Sequence, residues 1–376
     1  MMRVLFVTTC PCFYRVAFFR ELGKYVDLTV VYEDGTGRYQ KDTSSYYQRD
    51  TQGEFTVASL KAMHIGHYNY DFGLFRLIKK ERFDVVVFGI IESLSCMRTM
   101  EEMHRRHMPY ILNIDGLADK DRGRLKNWAG RHFVSMAPML LSPSKANDHV
   151  LVTLGAKLET IKRYSFASYS EKQVLSQCVT PKEREEACKT LGLVPGRYVV
   201  SVAQLIELKN PLGLLHAWKR VSSPEEMLLL IGRGPLEIQV AKMIARDRLH
   251  NVRLIPFVAP TQIPLYYRAS LFSVLFSHQD AWGLVISESL ANGTPVIATD
   301  ACYAATELLQ NDSNGQVIAD DETQLEAALR TMLKKSPKEL AAMSASALQS
   351  VKTYTVEQMA KEHVAIFEGF LRGEGR

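Results

Sequence analysis

Short β-branched runs alternate with amphipathic stretches along the whole chain, and this alternation limits the fold more than any other feature. A strand-length apolar run followed by apolar residues three and four apart is the pattern of layered α/β units on parallel sheets. In the first half, strands are expected at Arg3–Thr8, Leu28–Tyr32, Val85–Gly89, Tyr110–Ile114 and Met139–Ser142. Helices are expected between them, at Phe13–Lys24, Phe72–Lys80 and Ser93–Arg106. Thr36–Gly53 is polar, Tyr-rich and aperiodic, and reads as a long loop of the size that is often functional. After a polar, charged stretch, Thr180–Lys189, the alternation starts again at Tyr198–Ala203. It runs on through Met227–Ile231, Val252–Ile255, Leu271–Phe276 and Pro295–Thr299. A chain of 376 residues exceeds one ordinary core, so the restart marks a boundary between two domains near 170–195.

The chain ends in a helix announced by T-V-E-Q, where Thr355 can cap and Gln358 can reach back in a capping box. Val356, Met359, Ala360, His363, Ile366, Phe367 and Phe370 then form one apolar face, on which His363 reads as a packed core or edge histidine.

Composition excludes several classes. With 47% hydrophobic and 23% charged residues the chain is of soluble globular type, and its longest apolar runs are of strand length, far short of the ~20 residues of a membrane span. The N-terminal apolar run is too short for a signal peptide, so a cytoplasmic location is expected. Six scattered cysteines without C-x-x-C spacing point to reduced thiols and away from structural zinc. Cys10-Pro11-Cys12 reads as a structural loop, with a metal site a remote second choice.

Charge is divided unevenly: residues 1–178 carry a formal +6 and the rest −1. Part of the basicity gathers at Lys120, Arg122, Arg124, Lys126 and Arg131, interleaved with Trp128 and Phe133. That mixture suits an anionic membrane surface, a pyrophosphate, or simply a solvated helix face. Nucleic acid is not an expected partner, because no recognition motif is present and a net +5 is mild for this length.

If two parallel α/β domains face each other across a cleft, ligands are expected at the carboxyl ends of their strands. In the second half the first such loop is Q-L-I-E-L-K-N-P, which poises Lys209 just before a helix start. A lysine there can neutralise a diphosphate, or sit solvated on the surface. The next loop, I-G-R-G-P, offers Gly232 and Gly234, where a backbone can come close to a ligand. Phe257 and Val258 follow a third strand and suit the flat face and polar edge of a base, or else pack into the core.

Ser277–Pro295 is the most informative stretch. Asp280 stands eight positions before Glu288, with Gly283 between them at an expected helix start. Free N–H groups and a positive dipole end favour a phosphate there, and the flanking carboxylates suit sugar hydroxyls. By itself the segment is equally an ordinary β-loop-α unit with a solvated Asp and Glu. Gly293 is its natural C-cap, and Pro295 prevents continuation.

Taken in order, Lys209, G-x-G-P, D-x7-E and G-x-P-V resemble the nucleotide-sugar glycosyltransferases of family 4, retaining enzymes of the GT-B fold. The first half also looks like a bacterial subgroup of surface-polysaccharide assembly (capsule, exopolysaccharide or O-antigen). C-F-Y-R-V-A-F-F-R-E-L follows the first strand, N-I-D-G ends a later one, and L-G-A-K-L-E-T-I-K-R-Y-S-F precedes the linker. The resemblance implies two Rossmann-like domains facing a cleft. An acceptor-binding domain would occupy 1–175 and a nucleotide-sugar-binding domain 176–355, and a C-terminal helix, 356–376, would return toward the first.

It also implies roles. Glu288 would hold the nucleotide ribose, and Asp280 the hydroxyls of the transferred sugar. Gly283 and Leu284 would give backbone donors, and Lys209 would balance the departing diphosphate. Two departures stand out. The family's arginine ahead of the lysine is Gln204 here, and the first carboxylate of its E-x7-E is the shorter Asp280, which opens a changed donor pose or weaker catalysis.

Arg15, on the first strand-to-helix loop, is a candidate for the missing charge. On that reading Arg15→Ala lowers turnover and leaves thermal stability nearly unchanged. Equal activity would instead mark it as a solvated helix-start arginine outside the site. Asp115 of N-I-D-G would contact the donor sugar, steer the acceptor hydroxyl, or only form an Asp-Gly turn.

No D-x-D motif occurs in the expected place, so neither a metal nor a further cofactor is expected beside the donor. The expected acceptor is a lipid-linked or free saccharide, with peripheral contact to the inner face of the plasma membrane. Other readings are a nucleotide-sugar epimerase or phosphorylase of the same architecture, and a non-catalytic nucleotide-sugar-binding scaffold.

Overall fold

The computed structural model describes residues 1–33, 53–60, 62–65, 68–71, 73–91, 93–116 and 124–374. Apart from Gly53, the expected loop Thr36–Gly53 lies outside these residues, as do Lys120 and Arg122 of the basic cluster. The chain forms two compact units. One comprises Met1–Tyr169 with Tyr354–Arg376, the other Ser170–Thr353.

In order, the first unit has β1 (Arg3–Thr8), α1 (Phe13–Leu22), β2 (Asp27–Tyr32), β3 (Thr56–Val57), β4 (Ala62–Ile65), β5 (Tyr68–Asp71) and α2 (Leu74–Glu81). It continues with β6 (Val85–Phe88), α3 (Leu94–Arg105), β7 (Ile111–Asn113), α4 (Arg124–Met136), β8 (Met139–Ser142), α5 (Lys145–Thr153) and β9 (Ile161–Arg163). Its parallel sheet runs β3-β2-β1-β6-β7-β8-β9, with β4 and β5 as a separate antiparallel hairpin. At the centre, Val4 pairs with Leu28 on one side and Val85 on the other. Val4–Val7 are wholly buried, as a strand covered on both faces by helices must be.

The second unit has α6 (Pro181–Thr190), β10 (Arg197–Val202), α7 (Pro211–Val221), β11 (Glu226–Ile231), α8 (Glu237–Arg246), β12 (Val252–Ile255), α9 (Ile263–Ala269) and β13 (Ser270–Leu275). α10 (Leu284–Ala291), β14 (Val296–Thr299), α11 (Tyr303–Leu308), β15 (Gly315–Ile318), α12 (Glu322–Leu333) and α13 (Pro337–Ser350) complete it. Its sheet, all parallel, runs β12-β11-β10-β13-β14-β15.

The polar stretch Thr180–Lys189 is a helix, not a linker. Thr180 Oγ accepts from the Glu183 N–H at 3.2 Å and the Glu183 carboxylate accepts from the Thr180 N–H at 2.7 Å, with Pro181 at the first helical position. Only Ala187 and Cys188 of this helix are buried, which is why no apolar stripe betrays it.

α14 (Val356–Leu371) packs on α1 in the first unit. Thr355 Oγ accepts from the Gln358 N–H at 3.3 Å as the sequence anticipates. The other half of the box is absent, because the Gln358 side chain donates to Glu362 at 2.9 Å instead of reaching back. Glu362 in turn accepts from the Ser165 N–H at 2.6 Å, tying the helix to the segment after β9. Among the described residues, no helix is long and apolar enough to cross a membrane.

Candidate functional site

Sheet order explains why candidates scattered over the sequence of the second unit become neighbours. From β10 the chain builds outward through β11 and β12, then crosses back to lay β13 on the other side of β10. The loops leaving β10 and β13 therefore diverge at a switch point, where open parallel sheets bind ligands. Lys209 lies in the first of these loops and Asp280 in the second, and the two form an ion pair through Nζ and Oδ2.

Local structure fixes both partners. Glu207–Lys209 form one 3-10 turn, ended by Asn210 in a left-handed conformation (φ 42°) whose side chain accepts from the Gly213 N–H at 3.1 Å and caps α7. The His278 N–H donates to the Leu208 carbonyl at 2.9 Å, joining this turn to the loop after β13. Asp280 is held on its other side, where its N–H donates to the Ala301 carbonyl at 3.0 Å. Its Oδ1 accepts from the Trp282 N–H at 3.3 Å. The side chains of Lys209 and Asp280 keep 18% and 19% exposure, so the pair stays within reach of a solute.

Gly283 makes the turn between Asp280 and α10. Its φ of 91° is open to glycine, and a Cβ there would lie 3.2 Å from Ile286 Cδ1 and 3.3 Å from Leu275 Cδ2. Its carbonyl accepts from the Ile286 N–H at 2.9 Å, while helix geometry leaves the N–H groups of Leu284 and Val285 without intrahelical acceptors. Glu288 lies one turn beyond Leu284, about 6 Å along the axis, and is half-buried. Burial and the Glu288 charge both push the Tyr267 phenol well above its usual range, so Tyr267 stays a neutral wall behind the carboxylate.

Gly232 and Gly234 are each crowded by the chain's own backbone. A Cβ would lie 1.8 Å from the Ala203 carbonyl oxygen at Gly232 and 2.3 Å from that of Leu205 at Gly234. The Leu205 N–H donates to the Arg233 carbonyl at 2.8 Å, and the Leu236 N–H to the Leu205 carbonyl at 3.0 Å, so the two loops form one unit. Arg233, which sequence reasoning passed over, places its guanidinium carbon 6.0 Å from the centre of the Phe257 ring. Phe257 is 50% exposed, whereas Val258 is buried, so only the first presents a ring to a ligand. Gln204 is exposed in the loop after β10.

In the first unit, Arg15 and Asp115 are brought together across 100 residues of sequence. The pair joins Arg15 Nη2 to Asp115 Oδ2, and Oδ1 accepts from the Tyr164 hydroxyl at 2.6 Å and Asn113 Nδ2 at 3.0 Å. Tyr164 and Asn113 lie in segments already set apart by the resemblance, but no role was foreseen for either, because what distinguishes them is the carboxylate they meet. Burial, the largest single influence, disfavours the Arg15 charge, but the Asp115 carboxylate together with Tyr14, Tyr164 and Cys12 outweighs it and holds the guanidinium above its usual range. The expectation that Arg15→Ala leaves stability unchanged is corrected here. Arg15 is buried, its charge is opposed by Asp115, and its removal strands that carboxylate.

Cys10 and Cys12 are free thiols with their sulfurs 3.3 Å apart. The hydrogen bond from Cys10 and the nearby Arg15 charge overcome burial and bring Cys12 down to about 7, while the same contact raises Cys10.

Comparison with known proteins gives this geometry a context. Residues 184–349, which include the whole of the Lys209, Asp280 and Glu288 region, match the family model described as Glycosyl transferases group 1. A D-inositol 3-phosphate glycosyltransferase of Rhodococcus erythropolis is 31% identical over 191 residues, covering 48% of this chain and 43% of the relative. The lipopolysaccharide core biosynthesis mannosyltransferase LpsB of Rhizobium meliloti is 30% identical over 213 residues, 51% of this chain and 57% of the relative. The chain thus spans about half the length of these curated relatives. Over the whole fold, Anabaena Alr3699/HepE in complex with UDP superposes with a TM-score of 0.78 at 16% identity, covering 98% of this chain and 100% of that one. WaaG, a glycosyltransferase involved in lipopolysaccharide biosynthesis, gives 0.68 at 16% identity, covering 97% and 100%. The architecture is therefore GT-B, and residues 184–349 carry a glycosyl transferases group 1 domain.

Proposed function

We propose that this chain is a retaining glycosyltransferase of the family 4 type that moves one sugar from a nucleoside diphosphate sugar to a saccharide acceptor in cell-surface polysaccharide assembly. The observation that carries this reading is the Lys209–Asp280 pair at the switch point, directly ahead of the glycine-started helix α10. A diphosphate arriving there competes with Asp280 for Lys209 and meets the free N–H groups of Leu284 and Val285. Asp280, relieved of the lysine, is then placed for the hydroxyls of the transferred sugar. Glu288 takes the ribose hydroxyls, and the exposed Phe257 with Arg233 offers a stacking surface for the base. The Anabaena neighbour is described in complex with UDP and with UDP-glucose, which supports a nucleotide-sugar donor for this fold.

In the proposed reaction the acceptor hydroxyl oxygen forms the new bond to the anomeric carbon on the face from which the diphosphate leaves. The bond from that carbon to the phosphate oxygen breaks, and the departing oxygen takes the acceptor proton. Lys209 and the helix start stabilise the negative charge that develops on the leaving group. In the first unit, Arg15 and Asp115 are proposed to act on donor sugar or acceptor as one couple. The acceptor is proposed to be carried on a polyprenyl diphosphate, with the protein held peripherally at the inner membrane face. Trp128, 59% exposed on α4, supports that contact.

The test is a thermal-shift panel of nucleotide sugars followed by mass spectrometry of transfer to lipid-linked acceptors. Transfer with an anomeric configuration opposite to the donor's overturns retention. Wild-type protein that binds donor yet neither hydrolyses nor transfers it, with Glu288→Ala no different, overturns catalysis in favour of a binding scaffold.

A further inference from the structure

The loop from β1 into α1 carries two thiols that no step of the proposed reaction uses. Cys10 and Cys12 are separated by Pro11 alone, and the Cys12 N–H donates to the Cys10 carbonyl at 3.0 Å. A hydrogen bond over two residues makes an inverse γ-turn, whose central residue needs a φ near −75°, and the proline ring supplies it. The two sulfurs meet at 3.3 Å.

A buried cysteine is ordinarily an inert small hydrophobe. Cys188 and Cys302 fit that description. The sulfur of Cys188 meets the Ala269 carbonyl at 3.9 Å, that of Cys302 meets the Thr299 hydroxyl at 3.5 Å, and burial raises both thiols, Cys302 to about 12. Cys12 is placed differently. It is the N-cap of α1, its carbonyl accepting from the Val16 N–H at 3.0 Å, so it stands at the positive end of the helix dipole. The contact with Cys10 and then the Arg15 charge favour its thiolate, while the same contact keeps the proton on Cys10. One sulfur is thus the nucleophile and its neighbour the thiol that can resolve it. Cys10 and Cys12 also retain 5% and 6% exposure, where Cys302 has none, which gives a small oxidant access.

We propose that Cys10 and Cys12 are a redox-active dithiol that a hydroperoxide converts to an intrachain disulfide. The Cys12 thiolate attacks one peroxide oxygen and breaks the O–O bond, forming Cys12 sulfenic acid, and the departing oxygen leaves as hydroxide or alkoxide and takes a proton from water. The Cys10 sulfur then attacks the sulfenic sulfur and gives up its proton, and the hydroxyl leaves as water. The two sulfurs together supply the two electrons that reduce the peroxide. Closure shortens the sulfur separation from 3.3 Å to about 2.05 Å. A loop of three residues removes little chain entropy, so the bond serves as a reversible modification and not as a staple. Closure also consumes the anion that faces Arg15. This chemistry is independent of the transfer reaction proposed above.

In the experiment the full chain, fully reduced, is treated with hydrogen peroxide near pH 7, quenched with iodoacetamide and digested with trypsin, which releases both cysteines in one peptide, residues 4–15. That peptide should become two hydrogens lighter and resist alkylation, at least about tenfold faster than Cys188 or Cys302 is lost. Dithiothreitol should restore both alkylation sites. In Cys10→Ser, Cys12 should stop at the sulfenic acid and be trapped by dimedone. In Cys12→Ser, Cys10 should oxidise at least about tenfold more slowly than the wild-type pair. The wild-type peptide decides the matter even if a variant fails to fold. Two alkylated thiols persisting on residues 4–15, oxidation of Cys12 to sulfinic acid without a bond to Cys10, or a rate equal to that of Cys302 overturns the proposal.

Discussion

Replacing His363 by phenylalanine should remove a specific acid sensitivity from the first unit. The ring is 0% exposed and stands among Phe18, Tyr164 and Phe367, with ring centres 4.7, 4.6 and 5.9 Å away. Its Nδ1–H donates to the Met359 carbonyl at 2.8 Å, and Nε2 has no hydrogen-bond partner among the described residues. A second proton would put an unmatched N–H and a charge among aromatic rings. Burial therefore lowers the imidazole from 6.5 to about 4, against the Met359 carbonyl and with help from the Arg15 charge.

Because the unfolded imidazole takes its proton near 6.5 and the folded one only near 4, the unfolded state binds more protons between those values. The contribution of this histidine to stability is intact above the upper value, falls as pH drops through the window, and is fully lost below the lower, about 3 kcal/mol in total. Between pH 7 and about pH 4.5 the wild type should lose about 2 kcal/mol more than His363→Phe. Hydrogen exchange of α1 and α14 peptides, converted to opening free energies at the two pH values, measures this in the unit concerned. Equal pH dependence in the two proteins would show that the ring is solvated or paired when protonated, and would refute the reasoning.

Four further outcomes test the site. Lys209→Met should lower turnover about 10²–10³-fold by removing the cation at the leaving group, yet cost only about 1 kcal/mol of stability, read by steady-state kinetics beside a thermal melt. Arg15→Ala should destabilise the first unit by about 3 kcal/mol because Asp115 is left unpaired. Arg15→Ala with Asp115→Ala should regain part of that stability in urea unfolding while staying inactive; if activity returns with stability, the couple is structural only. Gly234→Ala should cost about 2–3 kcal/mol in urea unfolding, since its Cβ would lie 2.3 Å from the Leu205 carbonyl oxygen.

Much of the fold is legible in the chain because the central strands of both sheets are apolar on both faces. Arg3–Thr8, Met139–Ser142 and Val252–Ile255 appear as read, and the other expected strands fall within one residue at each end. α6 escaped because its stability comes from a capping box and a proline, not from an apolar stripe. The signal, T-P-K-E, was present in the sequence. β9 and β15 also escaped: both are short, and Ile161–Arg163 carries two cations among its three residues. In the candidate site, the residue types of Lys209, Gly283, Asp280 and Glu288 were visible from their loops. Arg233, Asn113 and Tyr164 were not, for their importance comes from the partner each meets.

Sequence by itself settled where strands and helices alternate, where a glycine must open α10, and which loops bring cations and carboxylates, since these depend on propensity and local backbone freedom. Tertiary structure alone decided the pairing of Lys209 with Asp280 across 71 residues and of Arg15 with Asp115 across 100. It also decided that Gly232 and Gly234 are crowded by the chain's own backbone. The physical reason is strand order: which loops meet is set by the sheet's crossover, and no local preference encodes the distance between two side chains brought together by it.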